Sequence, residues 1–436
     1  MNNHMDIPWH EYTKVDSKIK IEDASLTEKS SVIGRIGLML LACGTGAWRV
    51  RSSMNTIASE LNITCIADIG LTNISYTCID GIDSHAQSLS LHNTSVNTSK
   101  LARMEDFVYH FKDECKTCTC SEIHDQLDQI ENIHSSYSPI ILGLAAALAC
   151  SCFTFLLGGG MIEMLCAFVG AGLGNTLRMK LIKHNYTLFL NVAASVSLAC
   201  LAYALLFNFL ETCFGISTQH EAGYICSMLF IIPGFPFITS GIDLAKLDLR
   251  SGIERLAYAI IIILAATLTA WICALVLHLQ PVDFVKLHIS TPTKFLLRLL
   301  TSFGGVFGFS IMFNSSKKIA ASAGCIGAIA NTLRLTLVDM ALPAAAAAFI
   351  GALTAGLLAS MIKGNTGYPR IAVTVPSIVI MVPGLYMYRA IYNLELTSTM
   401  SIGANWLIQS LLIVLALPMG LIFARILTDP SFRYCT

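Results

Sequence analysis

From Ser138 onward the chain is a succession of apolar segments, each near twenty residues long, with charge confined largely to the gaps between them. A bilayer's hydrocarbon core is about 30 Å thick, and a helix rising 1.5 Å per residue crosses it in about twenty residues. No water is present there to satisfy backbone N–H and C=O groups, so segments of this kind are restricted to bundled helices that close their own hydrogen bonds. Ten segments meet or approach the required length: 138–157, 160–178, 186–208, 223–242, 256–278, 294–313, 319–336, 341–362, 370–390 and 403–425.

Composition agrees with that restriction and divides the chain. Only 13% of the 436 residues are charged, where a soluble protein carries roughly a quarter, and 54% are hydrophobic. Of the 28 Lys+Arg and 28 Asp+Glu, residues 1–137 hold 11 and 18, leaving 17 and 10 for the longer remainder. An acidic soluble segment therefore precedes a polytopic membrane part. Its acidity argues against nucleic acid as a partner. With that segment in the cytoplasm, the inner loops collect Arg178, Lys180, Lys183, Lys246, Arg250, Arg255, Lys317, Lys318, Lys363, Arg370, Arg425 and Arg433, while Lys286, Lys294, Arg334 and Arg389 fall outside. This is the bias of the positive-inside rule. The stretch Ile36–Trp48 is too short to span and is flanked by Arg35 and Arg49, so it reads as part of an amphipathic helix, with Ile33, Ile36, Leu40, Ala47 and Val50 near helical spacing. Most cysteines lie in or beside apolar segments as small hydrophobes, and no disulfide framework is expected.

The tetrapeptide NTLR occurs at Asn175–Arg178 and again at Asn331–Arg334, each followed some fifty residues later by a Pro-Gly inside an apolar segment. The ten helices thus divide into five and five. An odd number of spans per unit makes the second copy enter from the opposite side, an inverted repeat of the sort common in secondary transporters. The expected fold is mainly α-helical: residues 1–30 disordered, a small cytoplasmic α/β domain over 31–137, and two five-helix repeats over 138–280 and 281–436. Within 31–137 we expect one long helix, strands near 63–67, 73–79 and 86–91, then helices near 101–114 and 121–133.

The Pro-Gly helices are the first candidates for a solute site. Pro233, Gly234 and Pro236 interrupt the fourth span; Pro376, Pro383 and Gly384 interrupt the ninth. Proline removes a donor and clashes with the preceding turn, and glycine eases unwinding. A half-helix starting after such a break presents free N–H groups and a positive dipole end, suited to a carboxylate. Tyr388 and Arg389 follow the second break. For NTLR two readings stand together: Asn175 and Asn331 hydrogen-bond across helix interfaces, helped by Gly170 and Gly174, while Arg178 and Arg334 snorkel; or these residues contact solute or gate. Glu163 and Asp243 are either interfacial charges or carriers of a coupling proton. In the soluble part, His110, Cys115, Cys118, Cys120 and His124 have a CxxC in their midst, but they sit around one turn without a distant second ligand pair, so no metal is expected. No cofactor is expected, and no nucleophile elbow, phosphate loop or triad marks an enzyme. The expected partners are a small amino-acid or carboxylate solute, the lipid bilayer and further copies of the chain.

At these residues the chain resembles the threonine/serine exporter family of bacterial membrane proteins. The resemblance covers most of the chain from about Ser31 and rests on GTGAWRV (Gly44–Val50), SEIHDQLDQIENI (Ser121–Ile133), FIIPGFPFITSGIDL (Phe230–Leu244) and TVPSIVIMVPGLYMYRA (Thr374–Ala390). Arg51 stands where the family typically has an acid, so a role for that acid does not carry over. The resemblance implies export of threonine and serine across the inner membrane, driven by the proton-motive force. Relatives split into two subunits resemble C4-dicarboxylate exporters, and a dicarboxylate is the alternative solute. A membrane-anchored sensor is a third reading, against which broken helices argue, because an anchor has no need of them.

Overall fold

A computed structural model describes residues 7–13, 19–133, 137–215, 223–279, 284, 289–366, 370–395 and 399–433. Lys286, assigned above to an outer loop, lies outside them.

The N-terminal part starts earlier than its composition suggests. Helix α1 (Leu26–Ala42) begins with a capping box: the Ser25 hydroxyl accepts from the Glu28 N–H, and the Glu28 carboxylate accepts from the Ser25 N–H at 3.0 Å. Trp9, in a 3-10 turn over Trp9–Thr13, and Ile21 are buried against it. Residues 1–30 are therefore not uniformly disordered, and SxxE at Ser25–Glu28 was a readable start signal. The expected long helix is in fact two, α1 and α2 (Ala47–Glu60). Gly44 adopts φ +80°, a left-handed conformation that ends α1 and turns the chain. Ile33, Ile36, Leu40, Ala47 and Val50 are all fully buried, so the apolar stripe survives the break. Strands β1 (Thr64–Ile69), β2 (Asn73–Asp80) and β3 (Asp83–Ser90) form an antiparallel sheet in chain order. Alternation buries Cys65, Ala67 and Ile69 of β1 and Ile74, Tyr76 and Cys78 of β2 toward α1 and α2. Helices α3 (Thr98–Glu114) and α4 (Cys120–Glu131) complete this part.

The remainder is helical: α5 (Pro139–Leu156), α6 (Met161–Lys183), α7 (Leu188–Phe214), α8 (Tyr224–Ser227), α9 (Gly234–Ala245), α10 (Leu249–Leu277), α11 (Thr291–Met312), α12 (Lys317–Asp339), α13 (Ala344–Thr366), α14 (Arg370–Val379), α15 (Gly384–Glu395) and α16 (Met400–Thr428). Among the described residues seven helices are long and apolar enough to cross a membrane, or nine with two bent pairs counted as one span each. The protein is a multi-pass membrane protein. The other expected span corresponds to α6, whose apolar run is diluted by Glu163, Asn175 and Arg178. Packing recurs along the chain: α5–α6 and α11–α12, α6–α7 and α12–α13, α7–α10 and α13–α16, α9–α10 and α15–α16 are all neighbours, and α5 packs directly on α11.

Candidate functional site

Both Pro-Gly sequences break a helix. The segment Tyr224–Ile231 meets α9 at 52°, and α14 meets α15 at 47°. At each break the backbone makes the same hydrogen bonds. Ile232 N–H donates to Leu229 O, Gly234 N–H to Ile232 O at 2.8 Å, and Phe237 N–H to Pro233 O; Val382 donates to Val379, Gly384 to Val382 at 2.9 Å, and Met387 to Pro383. Every one of these residues is offset from its counterpart by the 150 positions that separate Pro383 from Pro233. The tight i→i+2 bond turns the chain where proline cannot donate, and a half-helix restarts on the glycine.

The two breaks also pack on one another. A Cβ on Gly234 would meet Val379 at 3.1 Å and Val382 at 3.3 Å; one on Gly384 would meet Leu229 at 3.0 Å and Ile232 at 1.9 Å. These contacts obey the same 150-residue offset, so each glycine receives the side chains that precede the other break. Above the crossing, the buried hydroxyls of Tyr224 and Tyr388 lie 2.7 Å apart. Tyr388 was a candidate; Tyr224 was not, since nothing local distinguishes a tyrosine nine residues before a proline.

The other candidates are distributed around this centre. Asn175 donates to Leu142 O of α5 at 2.8 Å and Asn331 to Ser302 Oγ of α11 at 2.9 Å, so the two NTLR copies tie equivalent helix pairs. Gly170 and Gly174 admit α7 so closely that Cβ atoms would stand 2.7 and 2.8 Å from its carbonyls at Ala199 and Ser195. Arg178 donates to Phe230 O beside the first break at 3.3 Å, whereas Arg334 donates to Asn331 Oδ1 at 3.2 Å. Arg389 lies over the Trp406 ring at 5.3 Å. Pro236 occupies the first turn of α9, where a proline fits, and Pro376 lies inside α14. Glu163 is buried and accepts from Gly160 N–H at 2.9 Å at the start of α6.

Asp243 belongs to a second location, where the N-terminal part meets the bundle. Its Oδ2 accepts from Ala47 N–H (3.1 Å) and Ser251 Oγ (2.9 Å) and pairs with Arg255 Nε at 3.2 Å. Arg255 also donates to the carbonyls of Gly44 (3.3 Å) and Thr45 (2.6 Å). A buried carboxylate thus sits at the N-terminus of α2, where its dipole favours an anion, and a buried guanidinium fixes the preceding turn. Nearby, Arg51 pairs with Asp248 at 2.5 Å, a contact that an acid in its place would turn into repulsion. Beside this joint opens a crevice walled by α2 (Trp48, Arg49), α9 (Thr239, Asp243), α14 (Arg370, Thr374) and α16 (Arg425). Of its arginines, Arg370 and Arg425 come from positions read in the sequence as loop charges, and Arg49 from the flank of the Ile36–Trp48 stretch.

The five His and Cys residues of the soluble part do not converge. His110 bonds to Asp106 O, Cys115 to Gln126, Cys118 to Glu114 O, Cys120 to Glu28 O, and His124 to Ser31 and Arg35. His124 is buried, and burial followed by the nearby Arg35 and His10 charges lowers its pKa to about 3, against the opposing pull of Asp128. Among the described residues, the group close enough to share a metal ion is instead His10, Asp125 and Asp128.

A family model described as a threonine/serine exporter matches residues 31–277, which is 247 of the 436 residues, and a second, for threonine/serine exporter ThrE, matches 298–427. A curated protein of Mycobacterium tuberculosis (strain H37Rv) named "Probable threonine/serine exporter" is 21% identical over 432 residues, covering 95% of this chain and 79% of that protein. No solved structure matches the chain. The first family match runs from α1 through α10, taking in both the joint and the first broken helix, and the second takes in the other break: the chain belongs to the threonine/serine exporter family.

Proposed function

We propose that this protein is a secondary transporter that exports threonine and serine from the cytoplasm of a bacterium, using the proton-motive force, with its N-terminal part on the cytoplasmic face of the inner membrane. The observation that carries this reading is the pair of breaks with one hydrogen-bond pattern, each packed on the residues leading into the other. Paired recurrence of that kind is what a ten-helix, five-plus-five inverted repeat with α6 as the tenth span would produce at its central axis. The curated relative bears the same substrate names.

The solute carboxylate binds at the half-helix ends. The first N–H groups of a helix have no intrahelical acceptor and carry a partial positive charge. In α9 the third residue is Pro236, which has no N–H, whereas in α15 the second and third residues, Leu385 and Tyr386, both carry one; the first N–H of each half-helix, on Gly234 and Gly384, already bonds within its break. The second break is therefore the stronger carboxylate site, and the Tyr224–Tyr388 hydroxyl pair supplies neutral hydrogen-bonding groups close by. Because the glycines are occluded by Val379, Val382, Leu229 and Ile232, the solute reaches them when the two breaks part. Of the two carboxylates considered for proton coupling, Asp243 is held by Arg255, which leaves Glu163 as the carrier.

Cells loaded with threonine- or serine-containing dipeptides test the reading. Efflux should rise with the protein present and fall in Pro233→Ala and Pro383→Ala variants. Equal efflux with and without the protein refutes amino-acid export; a succinate effect in its place transfers the function to dicarboxylates. Export undiminished after collapse of the proton gradient removes the coupling.

A further inference from the structure

The crevice beside the Asp243–Arg255 joint is distinct from the crossing of the breaks. It is small, about 40 Å³ on a measure in which one water needs about 10–15 Å³. That is room for a few heavy atoms. Its walls are unusual in what they leave unsatisfied. Among the described residues, the buried wall groups without a hydrogen-bond partner are the donors Trp48 Nε1, Arg49 Nε and Arg425 Nε, the acceptor Asp243 Oδ1, and the Thr45 hydroxyl, which can serve as either. Asp243 is fully buried. Unpaired polar groups are rare inside proteins and costly, since each has lost its water without a replacement.

The charges are equally one-sided. Arg49, Arg370 and Arg425 line the same small space. Arg49 is paired with Glu105, Arg425 is 3.7 Å from Asp429, and Arg370 donates to Gly356 O and Thr428 Oγ1 at 2.8 Å each and to Ser360 Oγ. The face of Arg425 is covered by Trp48 at 4.3 Å and Phe432 at 4.5 Å, which strips water from one side of the guanidinium and strengthens its attraction for an anion. Asp243 has its own cation in Arg255, as Arg49 has Glu105, so a ligand anion is drawn chiefly to Arg370, whose hydrogen bonds named here go to neutral acceptors, and to the desolvated guanidinium of Arg425.

A ligand that answers all of these groups has a carboxylate for the guanidinium cluster and, a few bonds away, a cationic donor for Asp243 Oδ1. The geometry points to a second solute site here, one that captures the head group of a zwitterionic α-amino acid before it reaches the broken helices. A second carboxylate in place of the ammonium has no proton to donate to Asp243 Oδ1, so the crevice selects amino acids over dicarboxylates. The hydroxyls of Thr239 and Thr374 also line the crevice and offer neutral bonds to a hydroxylated side chain. This inference rests on the export reading above, and it adds a site and the basis of substrate choice.

Direct binding of L-threonine to the purified full-length protein in nanodiscs, in competition with threoninamide, N-acetylthreonine and succinate, decides it. Threoninamide lacks the carboxylate and N-acetylthreonine lacks the cation. Each should compete at least about tenfold more weakly than threonine, as the loss of a charged hydrogen bond implies. Arg425→Gln should weaken threonine about tenfold or more while leaving threoninamide unchanged, and Asp243→Asn should narrow the gap between threonine and N-acetylthreonine. Arg370→Gln, which breaks none of the hydrogen bonds of the Asp243–Arg255 joint, serves as the second variant should Asp243→Asn fail to fold. Threonine binding that neither Arg425→Gln nor Arg370→Gln alters, with efflux still lost in Pro383→Ala, overturns the crevice site and leaves export standing. Absence of both threonine binding and threonine efflux overturns the export reading, and the crevice site with it.

Discussion

Gly384→Ala places a methyl group at the crossing of the two broken helices and measures how closely they meet. The new Cβ would stand 1.9 Å from Ile232 Cδ1 and 3.0 Å from Leu229 Cδ2. Carbon atoms pack at about 3.5–4.0 Å, so at least about 1.6 Å of overlap must be relieved by turning Ile232 away or by displacing α15. Overpacking of this kind costs about 1–3 kcal/mol. The equivalent Gly234→Ala meets Val379 and Val382 at 3.1–3.3 Å, which needs only a few tenths of an ångström and costs under about 1 kcal/mol. Ile232→Val removes the offending Cδ1 at a cost of its own of about 0.5–1.5 kcal/mol. The double variant Gly384→Ala/Ile232→Val should then be more stable than the sum of its single variants by about 1–2 kcal/mol, a coupling well above the scatter of independent sites. Unfolding of the purified variants in mixed micelles, followed by helical circular dichroism against increasing denaturing detergent, supplies the four stabilities. Additive losses, or a Gly234→Ala loss equal to that of Gly384→Ala, refute the crossing.

Three further outcomes follow from named contacts. Replacing Tyr224 or Tyr388 alone by Phe strands one buried hydroxyl and should destabilise by about 1–3 kcal/mol, whereas Tyr224→Phe/Tyr388→Phe removes both and should recover most of that loss in the same unfolding assay. Asp243→Ala leaves the Arg255 charge buried and uncompensated, a loss of about 3–5 kcal/mol that Asp243→Ala/Arg255→Met should largely reverse, read from thermal unfolding. His124 titrates at about 3 in the folded protein and near 6.5 in the unfolded chain, so the unfolded state binds the proton first. The N-terminal part should therefore lose about 1.4 kcal/mol per pH unit below about 6.5, levelling off near 3, and His124→Gln should flatten that slope in hydrogen-exchange measurements on α1 and α4 amides.

The helices and their breaks were legible because their causes are local. Twenty apolar residues suffice to mark a spanning helix, and a Pro-Gly marks its interruption whatever surrounds it. The recurrence of helix packing was legible through Asn175 and Asn331, whose side chains do equivalent work on α5 and α11. The turn at Cys43–Gly46 was not, because the apolar period of α1 continues in phase into α2 and hides the left-handed Gly44. The Cys/His spacing carries little for a related reason: it fixes where Cα atoms lie, not where side chains point, and His124 points into α1 while His110 points back along α3. The crevice was out of reach because Arg49, Arg370 and Arg425 are brought together from three distant parts of the chain.

The way the N-terminal part is fastened bears on how the bundle can move. Toward α9 and α10 each bond has a charged partner: Asp243 with Ala47 N–H, Arg255 with the carbonyls of Gly44 and Thr45, Arg51 with Asp248, Asp68 with Arg250, and Glu254 accepting from Leu71 N–H at 2.6 Å. Toward the α11–α12 connection they are neutral: Thr98 N–H to Phe313 O at 3.1 Å, Thr98 Oγ1 with Ser315 Oγ at 2.6 Å, and Ser99 Oγ to Asn314 O at 2.6 Å. A neutral hydrogen bond contributes about 0.5–1.5 kcal/mol net, while one to a charged group contributes about 1.5–3 kcal/mol. The N-terminal part is therefore held more firmly on α9 and α10 than on the α11–α12 connection. The crevice has α2 and α9 on one wall and α14 and α16 on the other.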